Sequence, residues 1–242
     1  MYKNNRVMLI APAFNEEAKI GAMAAQVPRD LVDKFLVVSD CSTDRTVEVA
    51  EEQGAETITQ PRRMGVGAAI RVGYKIAVKE NFDIVLVIAS NNKDDPTQIP
   101  RLLDPICDDE YDFVMGSRFL PGGFYGGDMP LYRVFATKWV HPWIVRLFCK
   151  ERVTETTNGF RALKVDVLRD ERIQLDQDWL HEYQLEMYLM MKVLMLDGIR
   201  TTEVPVSKIY PPKEVGNTKM KPIIDWWKML YPILLVGTGL RK

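Results

Sequence analysis

Phe35-Leu36-Val37-Val38-Ser39-Asp40-Cys41-Ser42-Thr43-Asp44-Arg45-Thr46 runs from unbroken apolar residues into a string of small polar ones, then into a helical pattern reaching about Gln53. Consecutive apolar positions without alternation suit a strand covered on both faces. Ser42 or Thr43 is expected to cap the helix, its hydroxyl accepting from orphan N–H groups of the first turn. The same succession recurs on either side. Upstream, Val7–Ala11 reads as a strand, followed by a turn at Pro12 and a polar helix start at Asn15-Glu16-Glu17. Downstream, Glu56–Thr59 reads as a short strand, and Gly65-Val66-Gly67 opens a helix with Val66, Ile70, Gly73 and Ala77 on one face. Ile84–Ile88 and Phe113–Met115 are two more apolar strands. This alternation predicts an α/β fold with a mostly parallel central sheet flanked by helices. Such sheets bind ligands at the carboxyl ends of their strands, so the polar residues after each strand become the candidates.

The second half is less regular. Pro121–Pro130, with glycines at 122, 123, 126 and 127, is expected to be a mobile loop. Leu131–Cys149 reads as a helix that Pro142 kinks or splits. Leu180–Leu196 reads as a helix dense in Leu and Met, and Thr201–Val206 as a strand. The pattern divides into a domain over residues 1–218 and a C-terminal segment over 219–242. That segment combines Trp226, Trp227 and Tyr231 with Lys219, Lys221 and Lys228. It suits an interfacial helix on a lipid surface, or a helix packed on the domain or on a second subunit in a homodimer.

Composition narrows the classes. The chain has 242 residues, 47% hydrophobic and 27% charged, with a net charge of −1. Without a basic surplus it is not expected to bind nucleic acid. Cys41, Cys107 and Cys149 are far apart and form neither a disulfide framework nor a metal-binding pair. No signal-peptide cleavage pattern follows the first apolar run, and no segment has the ~18–20 apolar residues a spanning helix needs. A cytoplasmic protein is expected, soluble or peripheral on the membrane face.

Six polar segments carry the chemistry: Ala11-Pro12-Ala13-Phe14-Asn15-Glu16, Ser39–Thr46, Gly65–Gly73, Ala89-Ser90-Asn91-Asn92-Lys93-Asp94-Asp95-Pro96, Val114-Met115-Gly116-Ser117-Arg118 and Thr157-Asn158-Gly159-Phe160-Arg161. In this order they resemble family 2 glycosyltransferases of the GT-A fold, above all the dolichol- and polyprenyl-phosphate sugar synthases. The resemblance spans about residues 6–220. It implies an inverting glycosyltransferase moving a sugar from a nucleotide-diphosphate sugar to an acceptor, here a polyprenyl phosphate, in cell-envelope glycan synthesis. Pro12, Asn15, Glu16, Asp40, Arg71, Ser90 and Asn91 would then serve the nucleotide, with Asp40 accepting from a base imide. Helix-start electrostatics is the competing reading of Glu16 and Asp44.

This chain departs from the family at residues 89–91. The family carries Asp-x-Asp there, and side chains two apart on an extended segment point the same way, so both carboxylates hold one Mg²⁺ or Mn²⁺. Ala89-Ser90-Asn91 offers only the Asn91 amide oxygen, so metal binding is expected to be weak or absent. Charge on the departing diphosphate then needs another partner. Lys93 stands beside the lost carboxylate, and the resemblance places Arg118, Arg133 and Arg161 near phosphates, where a guanidinium fork fits. Lys219, in Gly216-Asn217-Thr218-Lys219, matches a late loop closing on nucleotide or acceptor phosphate. Glu182, four residues before Glu186, is the candidate general base, with His181 as an alternative. A nucleotide-sugar-binding protein without turnover and a transferase to a soluble hydroxyl are the competing functions.

Overall fold

The computed structural model describes residues 1–149, 151–210 and 224–241. Strands β1 (Val7–Ala13), β2 (Lys34–Ser39), β3 (Glu56–Thr59) and β4 (Ile84–Val87) alternate with helices α1 (Glu17–Ala24), α2 (Thr46–Glu52) and α3 (Val66–Lys79). After α4 (Ile99–Asp108) come β5 (Phe113–Ser117) and β6 (Phe124–Gly127), then α5 (Leu131–Phe135), a π-helical turn over Ala136–Val140, and α6 (His141–Arg146). The chain continues through β7 (Arg161–Lys164), α7 (Val165–Arg169), α8 (Gln184–Met195), β8 (Thr201–Pro205) and β9 (Ser207–Tyr210) to α9 (Ile224–Gly237).

Among the described residues the strands build a seven-stranded sheet of order β3-β2-β1-β4-β7-β5-β8 and a two-stranded sheet of β6 and β9. Every pairing in the large sheet is parallel except those of β7, which runs against β4 and β5 with Arg161 opposite both Val87 and Met115. Because β7 starts where β4 and β5 end, the loop before it joins the carboxyl-end rim. The sheet's two faces cover separate cores, one holding Met8, Ile10, Leu36, Val85 and Phe113, the other Leu9, Val37, Leu86 and Val114. Alternate residues of one strand thus enter opposite cores, as both-face burial demands.

Several sequence expectations need correction. Neither Ser42 nor Thr43 caps α2. Asp44 does that work: its Oδ1 accepts from the Thr46 backbone N–H at 3.0 Å, while its Oδ2 accepts from the Glu17 N–H at 3.2 Å, anchoring the starts of α2 and α1 together. Ser42 and Thr43 instead bond residue 15, the Ser42 hydroxyl accepting from its N–H and the Thr43 N–H donating to its Oδ1. Pro121–Pro130 is not wholly loop, since β6 pairs in parallel with β9. Gly127 has φ +75°, and a Cβ there would lie 1.9 Å from the Tyr210 carbonyl oxygen, so only glycine fits. The helix expected over Leu131–Cys149 is divided into α5, the π-helical turn over Ala136–Val140 and α6, with Pro142 in the first turn of α6.

The expected helix from Leu180 begins only at Gln184. The His181 carbonyl is taken by the Ala68 N–H at 2.9 Å, and the Gln184 side chain accepts from the Glu182 N–H at 3.0 Å. Gly67 permits this approach, as a Cβ there would sit 2.3 Å from the Glu182 carbonyl oxygen. Gly67→Ala should therefore cost about 1–3 kcal/mol, the usual penalty for forced overpacking. A melting temperature equal to wild type would refute it.

The expected division at 218/219 lies outside the described residues. Helix α9 packs on α8 and α6, with Met229, Ile233 and Val236 buried in the core beneath one face of the sheet. Trp227 and Leu234 face outward.

Candidate active site

The carboxyl ends of β1, β2, β4 and β5 open onto a cleft of about 890 Å³. Parallel register sets this geometry, since Ala13 lies beside Ser39 and Val87 beside Ile10, so the turns after these strands share one rim. Pro12 lies near the end of β1 and Phe14 and Glu16 follow it, Asp40 follows β2, Ala89, Ser90, Asn91 and Lys93 follow β4, and Arg118 follows β5. Thr157 and Gly159 come from the loop before β7, while Arg133, Glu182, Glu186, Lys208, Tyr210 and Lys228 close the far side.

At the β2 end, Asp40 is buried and already well bonded. Its Oδ1 accepts from the Met64 N–H at 2.6 Å and from Gln60 Nε2 at 3.0 Å, and its Oδ2 accepts from the Gly65 N–H at 2.8 Å. A carboxylate has about four lone-pair sites, so one remains for a ligand donor. The residue therefore holds the 60–65 loop against the cleft. Alanine in its place would leave those donors unpaired, so it would not preserve the fold as a purely ligand-facing residue would. Glu16 stands at the N-cap position of α1, bonds Lys19 at 3.2 Å and lines the cleft. Arg63, also in the lining, lies over the Phe14 ring at 4.1 Å. Asn15, at φ +49°, binds the 42–43 turn beside the cleft rather than lining it.

The β4 end is where the cation chemistry concentrates. The Ser90 hydroxyl donates to the Pro12 carbonyl at 2.8 Å, while Asn91 Oδ1 is buried in the cleft wall without a hydrogen-bond partner among the described residues. Strand β9 runs alongside, its Ile209 N–H donating to the Lys93 carbonyl at 2.8 Å. That pairing delivers Lys208, whose Nζ donates to both oxygens of Asp94 at 2.7 and 2.9 Å and to Asn158 Oδ1 at 2.9 Å. The Tyr210 ring packs against Lys93 and Arg133, with cation-to-centroid distances of 5.0 and 5.7 Å. Burial, followed by the charges of Lys208 and Arg133, brings the Lys93 amine down to about 8.

These donors do not match a dedicated divalent-cation shell. Ala89 supplies no ligand, Asp94 spends both oxygens on Lys208, and one amide oxygen among ammonium groups is a poor host for a hard cation that takes several carboxylate or carbonyl oxygens. Among the described residues no three His, Cys, Asp or Glu side chains cluster.

Four candidates sit differently from their expected places. Arg118 touches the cleft, but its side chain is almost wholly buried in an ion pair with Glu155: Nε donates to both carboxylate oxygens at 2.9 and 2.8 Å, and Nη2 donates to Oε1 and, at 3.1 Å, to the Thr157 hydroxyl. Its Nη1 meets the Tyr210 hydroxyl. Arg161, also buried, gives its guanidinium to the carbonyls of Asn158, Glu186 and Thr156 at 2.8, 3.0 and 2.7 Å and shapes the loop without lining the cleft. Arg71 points away altogether. It bonds the Leu175 and Gln177 carbonyls and His181 Nδ1 in a separate cavity of about 560 Å³. Glu182, placed before α8 and not on it, pairs with Lys228 of α9 at the cleft edge. Lys219 lies outside the described residues.

Sequence reasoning passed over Lys208, Tyr210 and Glu155. The signal for the first two was present: Val206, Lys208 and Tyr210 alternate with Ser207 and Ile209, and the first set is buried. A period of two beyond Pro205 marks another strand.

With this geometry in view, the family model of glycosyl transferase family 2 matches residues 8–170. An undecaprenyl-phosphate mannosyltransferase of Micrococcus luteus is 29% identical over 224 residues, covering 89% of this chain and 87% of the relative. A polyprenol monophosphomannose synthase of Mycolicibacterium smegmatis is 25% identical, covering 89% and 81%. In three dimensions the chain superposes with a TM-score of 0.69 on glucosyl-3-phosphoglycerate synthase from Mycobacterium tuberculosis in complex with Mn²⁺, uridine diphosphate and phosphoglyceric acid, at 22% identity and covering 99% of this chain and 80% of the other.

Proposed function

The chain belongs to glycosyl transferase family 2, with a GT-A fold, and we propose that it moves a sugar from a nucleotide-diphosphate sugar to a polyprenyl-type phosphate, Lys93 and its cationic neighbours meeting the diphosphate charge. The observation that carries this reading is the convergence of Lys93, Lys208 and Arg133 around Tyr210 where the family's Asp-x-Asp would stand. In an inverting transfer, an acceptor phosphate oxygen attacks the anomeric carbon. The bond from that carbon to the β-phosphate oxygen breaks, and its electron pair leaves with the nucleoside diphosphate. Fixed cations beside that oxygen stabilise the departing charge without reorganising.

A phosphate acceptor suits the cleft's charges. It is already an anion and needs no general base. Glu182, the expected base, has a cation partner in Lys228, which fits it to positioning. On the nucleotide side, Asp40 retains an acceptor site toward the base, Pro12 and Glu16 line the approach, and Asn91 Oδ1 accepts from a ligand hydroxyl. The names of the two relatives support the lipid acceptor. A soluble phosphorylated acceptor is the second reading, favoured by the phosphoglyceric acid in the similar structure.

A panel of nucleotide sugars assayed against polyprenyl phosphate, phosphoglycerate and water, with and without chelator, tests both readings. Transfer to polyprenyl phosphate that survives chelation is expected. Transfer to phosphoglycerate alone would replace the lipid acceptor. Nucleotide-sugar binding without transfer in any arm would leave a binding protein, and activity restored to chelated enzyme only by Mn²⁺ or Mg²⁺ would overturn the cationic substitute.

A further inference from the structure

Every fourth residue from Leu131 to Leu147 is a large apolar side chain: Leu131, Phe135, Trp139, Trp143 and Leu147. All five are at least 60% exposed, and Leu131 reaches 86%. The opposite face carries the complementary series, Thr137, His141, Val145 and Cys149, all buried. In a regular α-helix residues four apart drift around the axis, because a turn takes about 3.6 residues. The π-helical turn over Ala136–Val140 slows that drift, keeping the exposed series on one side of α5 and α6.

Exposure on this scale needs an occupant. The charges identify it. Between Asp128 and Glu151 the sequence has no acidic residue, while Lys138 and Arg146 stand exposed within the apolar series. A second copy docked face to face would place these cations against their own kind with no carboxylate from this segment to pair them, and interface cores are depleted in such charges. A bilayer surface resolves the conflict. Tryptophan and phenylalanine sink to the headgroup boundary, while lysine and arginine reach anionic phosphates on their aliphatic stems.

We propose that this face of α5 and α6 lies on an anionic phospholipid surface, held flat by Phe135, Trp139 and Trp143 and steered by Lys138 and Arg146. Its position serves the cleft. Arg133, on the same helix, lines the cleft, and Tyr132 meets Trp226 of α9 at a centroid distance of 6.0 Å. A membrane against this face puts lipid phosphates at the mouth. Among the described residues no helix is long and apolar enough to cross a membrane. The docking surface extends the lipid-acceptor reading, but its test contains neither sugar nucleotide nor polyprenyl phosphate, so each can fail separately.

Co-sedimentation with vesicles of equal phosphatidylglycerol and phosphatidylcholine is the measurement. Wild type is expected to pellet with them, less so at high salt and less so with phosphatidylcholine alone. Trp139→Glu with Trp143→Glu should lower partitioning about tenfold or more, the loss expected when two exposed aromatics no longer bury in the interface. The melting temperature should hold, since neither residue is in the core. Leu131→Glu with Leu147→Glu, at the ends of the series, should act in the same direction and guards against a local folding defect in the first variant. Wild-type protein left in the supernatant at low salt would overturn the proposal, as would tryptophan variants that bind as well as wild type. A dimer that these substitutions dissociate, without vesicle binding, would assign the face to a second copy.

Discussion

Arg118→Ala should lower the stability of the fold by about 3–5 kcal/mol, the cost of leaving a buried carboxylate without its partner. Glu155 is 1% exposed and receives the Arg118 backbone N–H at 3.1 Å as well as the guanidinium. Removing the cation strands that charge beside β5 and frees the Tyr210 hydroxyl, so the wall carrying Lys208 loosens. At roughly 2–4 °C per kcal/mol for a chain of this size, the melting temperature should fall by about 10 °C. Replacing both partners, Arg118→Met with Glu155→Leu, should recover most of the loss, because no buried charge remains unpaired. Turnover lost with the melting temperature within about 2 °C of wild type would instead mean that the guanidinium acts on substrate. Arg133 should separate from Arg118 in this respect: with its cation against the Tyr210 ring in the cleft wall, its loss should fall on turnover.

Lys93→Met should lower transfer by about 10²–10³-fold, the range seen when a preorganised electrostatic partner is removed from a developing oxyanion. Stability should hold or rise, since the native site works against its own charge. Burial and the cations of Lys208, Arg133 and Lys19 depress the amine to about 8 from an ordinary 10.5, with Glu16 opposing. The native state therefore gives up its proton more readily than the unfolded chain does. Between about pH 8 and 10.5 the unfolded state binds more protons, and stability should increase with pH across that window. Function runs the other way. Diphosphate neutralisation requires the ammonium form, so nucleoside-diphosphate affinity measured calorimetrically should decline as pH rises through about 8. Bound diphosphate holds the proton and moves the break upward at saturation. An affinity profile in Lys93→Met with the same break as wild type would remove Lys93 from this role.

Much of the framework was legible because it is local. Val7–Ala11, Phe35–Val38, Ile84–Ile88 and Phe113–Met115 are too apolar to be anything but buried on both faces, and each marks a strand whose polar sequel reaches the cleft. Asp40, Ser90, Asn91 and Lys93 stand in those sequels, Arg133 was named from the family resemblance, and the fold brings all five together around one opening. The departure at Ala89-Ser90-Asn91 could also be read directly, since losing a carboxylate is a matter of composition.

What could not be read depends on partners distant in sequence. Nothing near Arg118 announces Glu155, 37 residues on, as the carboxylate that engages it. Arg71 belongs to a helix opening at the cleft, but the helix's twist turns it toward Leu175 and His181. Lys208 enters the site only because β9 pairs beside residues 93–94, and β7 reverses the sheet direction without a local signal. The exposed series from Leu131 to Leu147 was legible as helix, yet which side of it faced water was not: apolar residues surround that helix, and only packing against α9 and the core decides which are covered. Sequence alone thus determined six of the strands (β1 to β5 and β8), the order of the rim segments and the missing carboxylate, because backbone preference and side-chain identity are local properties. Tertiary structure alone decided which arginines are bound inside the protein, which cations gather at the β4 end and which apolar face stays open, because each depends on groups far along the chain competing for the same burial and the same hydrogen bonds.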